Sequence, residues 1–412
     1  MTTQQDRTII RELAKKYMEI TTNEKNRERY QRAKGINDLK VARPIVWLDE
    51  IPWHEMDIDE ALLCRCQSEE AKEIETWLRR QLYRWAHIQA DMVAEPVYRI
   101  SKAYDNTGIG MEVSEDVLIT DANNHIISHH YKDQLETEEQ ANKLTIPTIT
   151  ARPDIDRKNK DFASEMLGEV LPVRLTGHLS YHAPWDEIPR LRGVETVLMD
   201  MVDRPEFLHK IRKFFMDAGI STYEQMEQQG LLDTEASSLH CTPPYTDDLP
   251  AADYSGGPIR MKDTWFRGMA QMFSTVSPQI FKEFELDYAR PLMERFGLSY
   301  YGCCEPLDDR LSLLKSIPNM RKLGVTPWAN IRSSAEQIGK DYVFAFKPNP
   351  ALVGGILDEE AVRRETIETV EACLAYGCPY EFVLKDISTV SYKPQNLIRW
   401  VQIVESVLDR YY

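Results

Sequence analysis

Leu298-Ser299-Tyr300-Tyr301-Gly302-Cys303-Cys304-Glu305-Pro306 is a short apolar run that breaks, at a glycine, into two adjacent thiols and a carboxylate. A strand would fix the backbone as far as Tyr301, and the turn after it would free the side chains that follow. Soft sulfur beside hard oxygen at such a point suits a metal site or a polar catalytic pocket. Residues 301 to 305 are therefore the first candidates for chemistry.

Seven further apolar runs have strand character: Ile45-Val46-Trp47-Leu48, Leu171 to Leu175, Ser238 to Cys241, Trp265 to Phe273, Gly324 to Pro327, Val343 to Phe346 and Glu381 to Leu384. From about residue 170 they alternate with amphipathic segments, which implies a parallel sheet. Eight such runs are what a closed barrel requires. The expected fold is α/β, a TIM (β/α)8 barrel with an N-terminal, mainly helical extension. Residues 1-165 would form the extension and first barrel elements, and 166-412 the remainder of one catalytic domain. Ala94 to Tyr98 would add a strand at the rim. Ser277-Pro278 reads as an N-cap followed by a first-turn proline. The last helix should start near Pro394, with Leu397, Val401, Val404 and Leu408 on one face.

The 412 residues are 42% hydrophobic and 28% charged, ordinary values for a globular chain, and no apolar run approaches the roughly 20 residues that cross a bilayer. No apolar signal core follows Met1, so the expected compartment is the cytoplasm, with no membrane partner. The formal charge of −16 argues against nucleic acid as a partner and favours a small molecule or a protein. Seven cysteines without a secretion signal should be reduced thiols. Cys64 and Cys66 fall in a stretch that reads as helix and would face different ways. Cys373 and Cys378 flank a helix end capped by Gly377 and read as core.

Barrel active sites lie at the carboxyl ends of the strands. Reading those ends gives Asp49, Glu50 and Trp53, then His178, Tyr181 and His182, then His240 and Cys241. Tyr301, Cys303, Cys304 and Glu305 come next, and Trp328, Lys347 and Asp386 complete the set. Tyr301, His240, Asp386, Lys347 and Glu305 are the candidate catalytic groups. Trp47, Glu50, Trp53, Tyr181, Trp265 and Trp328 are candidates for holding a substrate, with tryptophans supplying walls for an aromatic ring. Cys303, Cys304, Glu305, His240 and Asp386 are candidate metal ligands, since zinc accepts sulfur, imidazole and carboxylate. His178 and His182 have helical spacing in a loop-like setting, and no metal is expected there.

From about Pro172 onward, over more than half its length, the chain resembles the uroporphyrinogen decarboxylase superfamily, and within it the corrinoid-dependent, O-demethylase-type methyltransferases. The resemblance rests on Arg192-Gly193-Val194-Glu195 with Asp203-Arg204-Pro205-Glu206, and on Ser277-Pro278 before Phe281 and Glu283-Phe284. It rests also on Tyr301-Gly302-Cys303-Cys304-Glu305-Pro306-Leu307-Asp308 and Leu384-Lys385-Asp386. The decarboxylases carry arginines after the first strand to hold porphyrin carboxylates. Here that place reads Trp47 to Trp53 with Asp49 and Glu50, which would repel a polyanion and disfavours porphyrinogen decarboxylation. The superfamily's zinc methyltransferases use His-x-Cys and a later Cys. In this chain the first pair falls on Tyr301 and Cys303, and the last position near Asp386, a departure from the pattern.

The resemblance implies transfer of a methyl group from a small methylated donor, an aryl methyl ether by the tryptophans, to the Co(I) corrinoid (cobalamin) of a separate corrinoid protein. No Asp-x-His-x-x-Gly motif for a lower cobalt ligand occurs in the chain, hence the separate partner. Zinc is an optional second cofactor, and a homodimer is allowed. The alternatives are a methylcorrinoid-to-thiol or pterin methyltransferase, a porphyrinogen decarboxylase-like enzyme and a noncatalytic binding barrel.

Overall fold

The structure is a computed structural model that describes residues 3–119, 128–234 and 238–412. Its strands in chain order are β1 (Ile45–Leu48), β2 (Tyr98–Ser101), β3 (Tyr104–Asn106), β4 (Glu115–Leu118), β5 (Ser128–Tyr131), β6 (Ile149–Ala151), β7 (Val173–Thr176), β8 (Trp265–Gly268), β9 (Leu298–Tyr301), β10 (Met320–Val325), β11 (Val343–Phe346) and β12 (Tyr380–Leu384). Six of them form one parallel sheet in the order β1-β12-β11-β10-β9-β8, so the first strand lies beside the last. Parallel bridges extend both edges, Trp47 to Asp91 beyond β1 and His182 to Gly268 beyond β8. β2 pairs with β7 in parallel, while β3 with β6 and β4 with β5 form small antiparallel pairs.

Side chains alternate along a strand, and here the alternation separates two chemistries. Phe344, Phe346, Phe382, Leu384, Leu323 and Val325 face outward into one large apolar cluster that includes the helices Glu359–Tyr376 and Pro394–Leu408. Burial of each such side chain contributes about 1.5–3 kcal/mol. The opposite face carries two smaller apolar clusters, Ile45, Trp47, Val343 and Val383 with Cys241, and Trp265, Leu298, Tyr300 and Ala345 with Leu239. Between them lie buried charges. Lys322 Nζ donates to both Glu381 oxygens at 2.9 and 3.0 Å, and Thr242 Oγ1 donates to Glu381 at 2.7 Å.

Six of the eight expected strand runs enter the central sheet, two of them (Ile45–Leu48 and Val343–Phe346) with the expected limits. The run expected at Ser238–Cys241 is a turn instead, because His240 and Cys241 take left-handed backbone, φ 40° and 68°. The run Trp265 to Phe273 stops as a strand at Gly268 and continues as a 3-10 turn over Gln271–Thr275. The rim strand starts only at Tyr98. Ser277 does cap its helix, accepting from Ile280 N at 3.3 Å, and Pro394 begins the last one. Cys64 and Cys66 lie outside any helix, with Cys64 Sγ 3.1 Å from Thr76 Oγ1 and Cys66 packed under the N-terminal helix Gln4–Thr21. Cys373 and Cys378 are core residues, and Gly377 caps their helix at φ 69°. Among the described residues no helix is long and apolar enough to cross a membrane.

Candidate active site

The carboxyl ends of β8, β9, β11, β12 and β1 and the turn at His240 bring a chain of polar groups together. After Tyr301 the backbone turns at Gly302, φ 95°, where an added Cβ would lie 2.4 Å from Leu307. That turn buries Cys303, leaves Cys304 half-buried and sends Glu305 back under the strand end. Cys303 Sγ lies 3.6 Å from His240 Nε2, and Cys304 Sγ lies 3.7 Å from Cys303 Sγ and 3.2 Å from Asp386 Oδ2. Asp386 in turn is bonded by Lys385 Nζ, and its backbone N–H donates to Glu50 Oε2 at 2.8 Å. The His240 ring meets the Tyr181 ring edge-on at 5.0 Å, and Tyr181 Oη donates to Asp186 Oδ2 at 3.3 Å.

Glu50, His240, Cys241 and Asp386 all sit at positive φ, between 40° and 68°. Each such non-glycine residue costs about 1–3 kcal/mol, and strain of this kind persists where side chains must be aimed.

Electrostatics sort the two thiols. The Cys304 thiol donates to Cys303, and despite burial His240, Arg267 and Lys385 add to this and hold Cys303 well below the ordinary thiol range. Cys304 is pushed up by the same hydrogen bond and by burial. The pair therefore keeps one proton and one negative charge, the charge on Cys303. Burial opposes the charge of Asp386, yet Lys385 beside it holds its carboxyl low. Burial raises Glu50, with Lys385 opposing. Glu305 is pushed up to about 7 by burial, against the Ala270 N–H that donates to it. Its oxygens accept from Ala270 N and Cys303 N, both at 3.0 Å.

Deeper in the same face, the Tyr300 ring carries three cations, Arg267 at 4.1 Å, Lys347 at 5.4 Å and Lys322 at 5.6 Å. Lys347 is buried and donates to Cys241 Sγ at 3.3 Å. Burial pulls its pKa down, but Cys241, Tyr300 and Glu381 outweigh that and keep it charged.

The structure brings His240, Cys303, Cys304, Glu305, Asp386, Glu50 and Tyr181 together and places Lys347 below them. Tyr301 is turned away. Its hydroxyl donates to Glu285 Oε1 at 3.0 Å on the helix side, where Trp185 Nε1 and Arg212 Nη2 hold the other oxygen at 3.0 and 2.8 Å. Gly302 breaks the alternation that would have put Tyr301 and Cys303 on one face. Trp265 is fully buried, its indole N–H bonded to Pro244 O at 2.9 Å, and Trp328 is 68% exposed; neither reaches the cluster. Trp53 lines a pocket of about 450 Å³ with Glu50, His54, Arg80 and Ile387. Trp47 lines another of about 370 Å³ with Tyr17, Asp49, Trp77, Arg84 and Tyr245.

Sequence reasoning missed Lys385, Arg267 and Asp186 as site residues. Lys385 was legible as the residue closing an inward-facing register on β12, while Arg267 and Asp186 carried no local signal.

The candidate metal ligands do not fit a zinc ion. Cys303 touches His240 and Cys304, Cys304 touches Asp386, both Glu305 oxygens are taken by backbone amides, and Lys385 already neutralises Asp386. Among the described residues no group of three or more such side chains is arranged to hold a metal.

No protein-family model and no curated protein matches the chain. A solved structure of a methyltransferase from Methanosarcina mazei superposes with a TM-score of 0.50 at 13% identity, covering 93% of this chain and 99% of that one. At that identity the likeness establishes a shared fold.

Proposed function

We propose that this chain is a methyltransferase that moves a methyl group from a small methylated donor, an aryl methyl ether, to the Co(I) corrinoid of a separate corrinoid protein. In this reading the central sheet and its edge bridges belong to one (β/α)8 barrel of the uroporphyrinogen decarboxylase superfamily's methyltransferase branch. The observation that supports it best is the strained strand-end cluster around the Cys303–His240 pair. The shared fold with the Methanosarcina mazei methyltransferase agrees with it.

The reduced corrinoid supplies the nucleophile, so this chain's task is to position the donor and make its oxygen a better leaving group. The methyl carbon–oxygen bond breaks, and the oxygen departs as a phenol once it gains a proton. His240 is placed to give that proton, with its ring packed against Tyr181 and its Nε2 facing the Cys303 thiolate. The thiolate holds the imidazole in orientation, as a base-orienting group does elsewhere. Lys385 offsets the negative charge of the thiol pair, and Trp47 offers a wall to the ring.

The test is to mix the chain with a reduced corrinoid protein and methoxyarenes and to follow cobalt methylation by absorbance. Methylation that depends on His240 supports the reading; none with any methoxyarene overturns it.

A further inference from the structure

Arg84 is the buried-side cation that the strand-end cluster does not use. The helix Glu69–Tyr83 runs into a π turn over Arg84–Ile88, closed by Gln89 at φ 59°. Single π turns recur at functional positions, where they redirect side chains. This one lays the Arg84 guanidinium over the Trp47 ring, 5.5 Å from its centroid.

Among the described residues the Arg84 side chain makes one hydrogen bond, from Nη2 to Leu48 O at 3.3 Å, and no carboxylate lies within ion-pair distance of it. Its neighbours differ. Arg79 is bonded to Glu75 at 2.7 Å, and Arg99, in the same pocket, is bonded to Glu95. Glu95 also accepts from Tyr245 Oη at 2.8 Å, so its charge is already used. Asp49 faces Arg84 only across the pocket and is partly exposed. Burial lowers the Arg84 pKa with Asp49 alone opposing, the signature of a cation short of a partner.

A guanidinium has five donors in a planar fork that matches a carboxylate, and four of them remain here. Its aromatic lining is the indoles of Trp47 and Trp77 and the phenols of Tyr17 and Tyr245, with Asp49, Glu95 and Arg99 also on the walls of a pocket of about 370 Å³. That is the low end of ligand pockets and suits a single ring.

We propose that Arg84 and these four aromatic side chains form a binding site for a single-ring aromatic carboxylate, with the carboxylate on the guanidinium and the ring among the indoles. That such an acid, when methoxylated, is the methyl donor rests on the methyl-transfer reading; its binding does not.

The experiment titrates 4-methoxybenzoate and 4-methoxybenzyl alcohol into the full chain by tryptophan fluorescence and calorimetry, for wild type, Arg84→Gln and Arg84→Lys, with circular dichroism as the folding check. Wild type should bind the acid about tenfold tighter than the alcohol or better, the fold-change of one charge-assisted pair. Arg84→Gln should lose that preference and keep its alcohol affinity, and Arg84→Lys, which keeps charge without the fork, should fall between. Equal affinity for acid and alcohol in wild type overturns the proposal, as does unchanged acid binding in Arg84→Gln. If Arg84→Gln does not fold, Arg84→Lys decides, and unchanged acid binding there overturns it. Arg84-dependent acid binding without cobalt methylation sinks the methyl-transfer reading alone. Methylation from the neutral ether without acid binding sinks the site alone.

Discussion

Tyr300 and Tyr301 are consecutive, both fully buried, and opposite in every other respect. Tyr300 faces inward, ringed by Arg267, Lys322 and Lys347, above a Lys322–Glu381 ion pair. Tyr301 faces the helices and ends on one carboxylate, Glu285, that Arg212 and Trp185 also hold. The inner face of the sheet is a charged interior that opens upward into the thiol cluster. The outer face is an apolar core in which Glu285, Arg212, Trp185 and Tyr301 form a closed polar network. In the proposed reading the same strand serves catalysis on one side and stability on the other.

The sharpest way to break this comparison is to remove one charge from the inner face. Glu381→Ala leaves Lys322 buried without its partner and should cost about 3–5 kcal/mol in denaturant unfolding. Phe344→Ala on the outer face should cost a similar ~3–5 kcal/mol through its cavity. The two differ in rescue: Lys322→Met should restore much of the Glu381→Ala loss and none of the Phe344→Ala loss. Failure of that rescue would mean that the inner face is not governed by charge.

A second, somewhat smaller effect concerns pH. The folded-state pKa of Glu305 lies above its ordinary 4.5, at about 7, so the stability it contributes is fully present below pH 4.5 and lost as pH rises through 7. Over that window wild type should lose up to about 3 kcal/mol relative to Glu305→Gln, measured as the difference of their unfolding curves. Parallel curves would show that the carboxyl is not desolvated.

The smallest expected effect is that of Tyr301→Phe. Removing one neutral donor from a carboxylate that keeps Arg212 and Trp185 should cost about 1 kcal/mol in thermal or denaturant unfolding. A loss of several kcal/mol would make the hydroxyl the keystone of the outer network.

Much of the sheet was legible because β1 and β11 are compact apolar runs with turn residues at both ends, and the helices at Ser277 and Pro394 announce themselves through caps and prolines. The turn at His240 and Cys241 was not, since Leu239 and Cys241 alternate as in a strand and left-handed backbone at non-glycine residues leaves no mark in sequence. Alternation along β9 was readable, but which parity faces inward was not. Gly302 then reversed the relation of Tyr301 to Cys303, so a residue chosen for catalysis proved to be a helix-side anchor. His240, Cys303, Cys304, Asp386 and Glu50 do meet, as strand-end residues should. Arg267 emerged only once the strands were paired, because a buried cation is recognised by its surroundings rather than by its neighbours in sequence.

The most direct test compares Cys303→Ala with Tyr301→Phe in cobalt methylation by the full chain with a reduced corrinoid protein and a methoxyarene. Cys303→Ala should lose about 100-fold or more in rate, the scale of a disabled acid–base group, with Tyr301→Phe close to wild type. Equal losses in the two, or an unaffected Cys303→Ala, would contradict the assignment of the chemistry to the inner face.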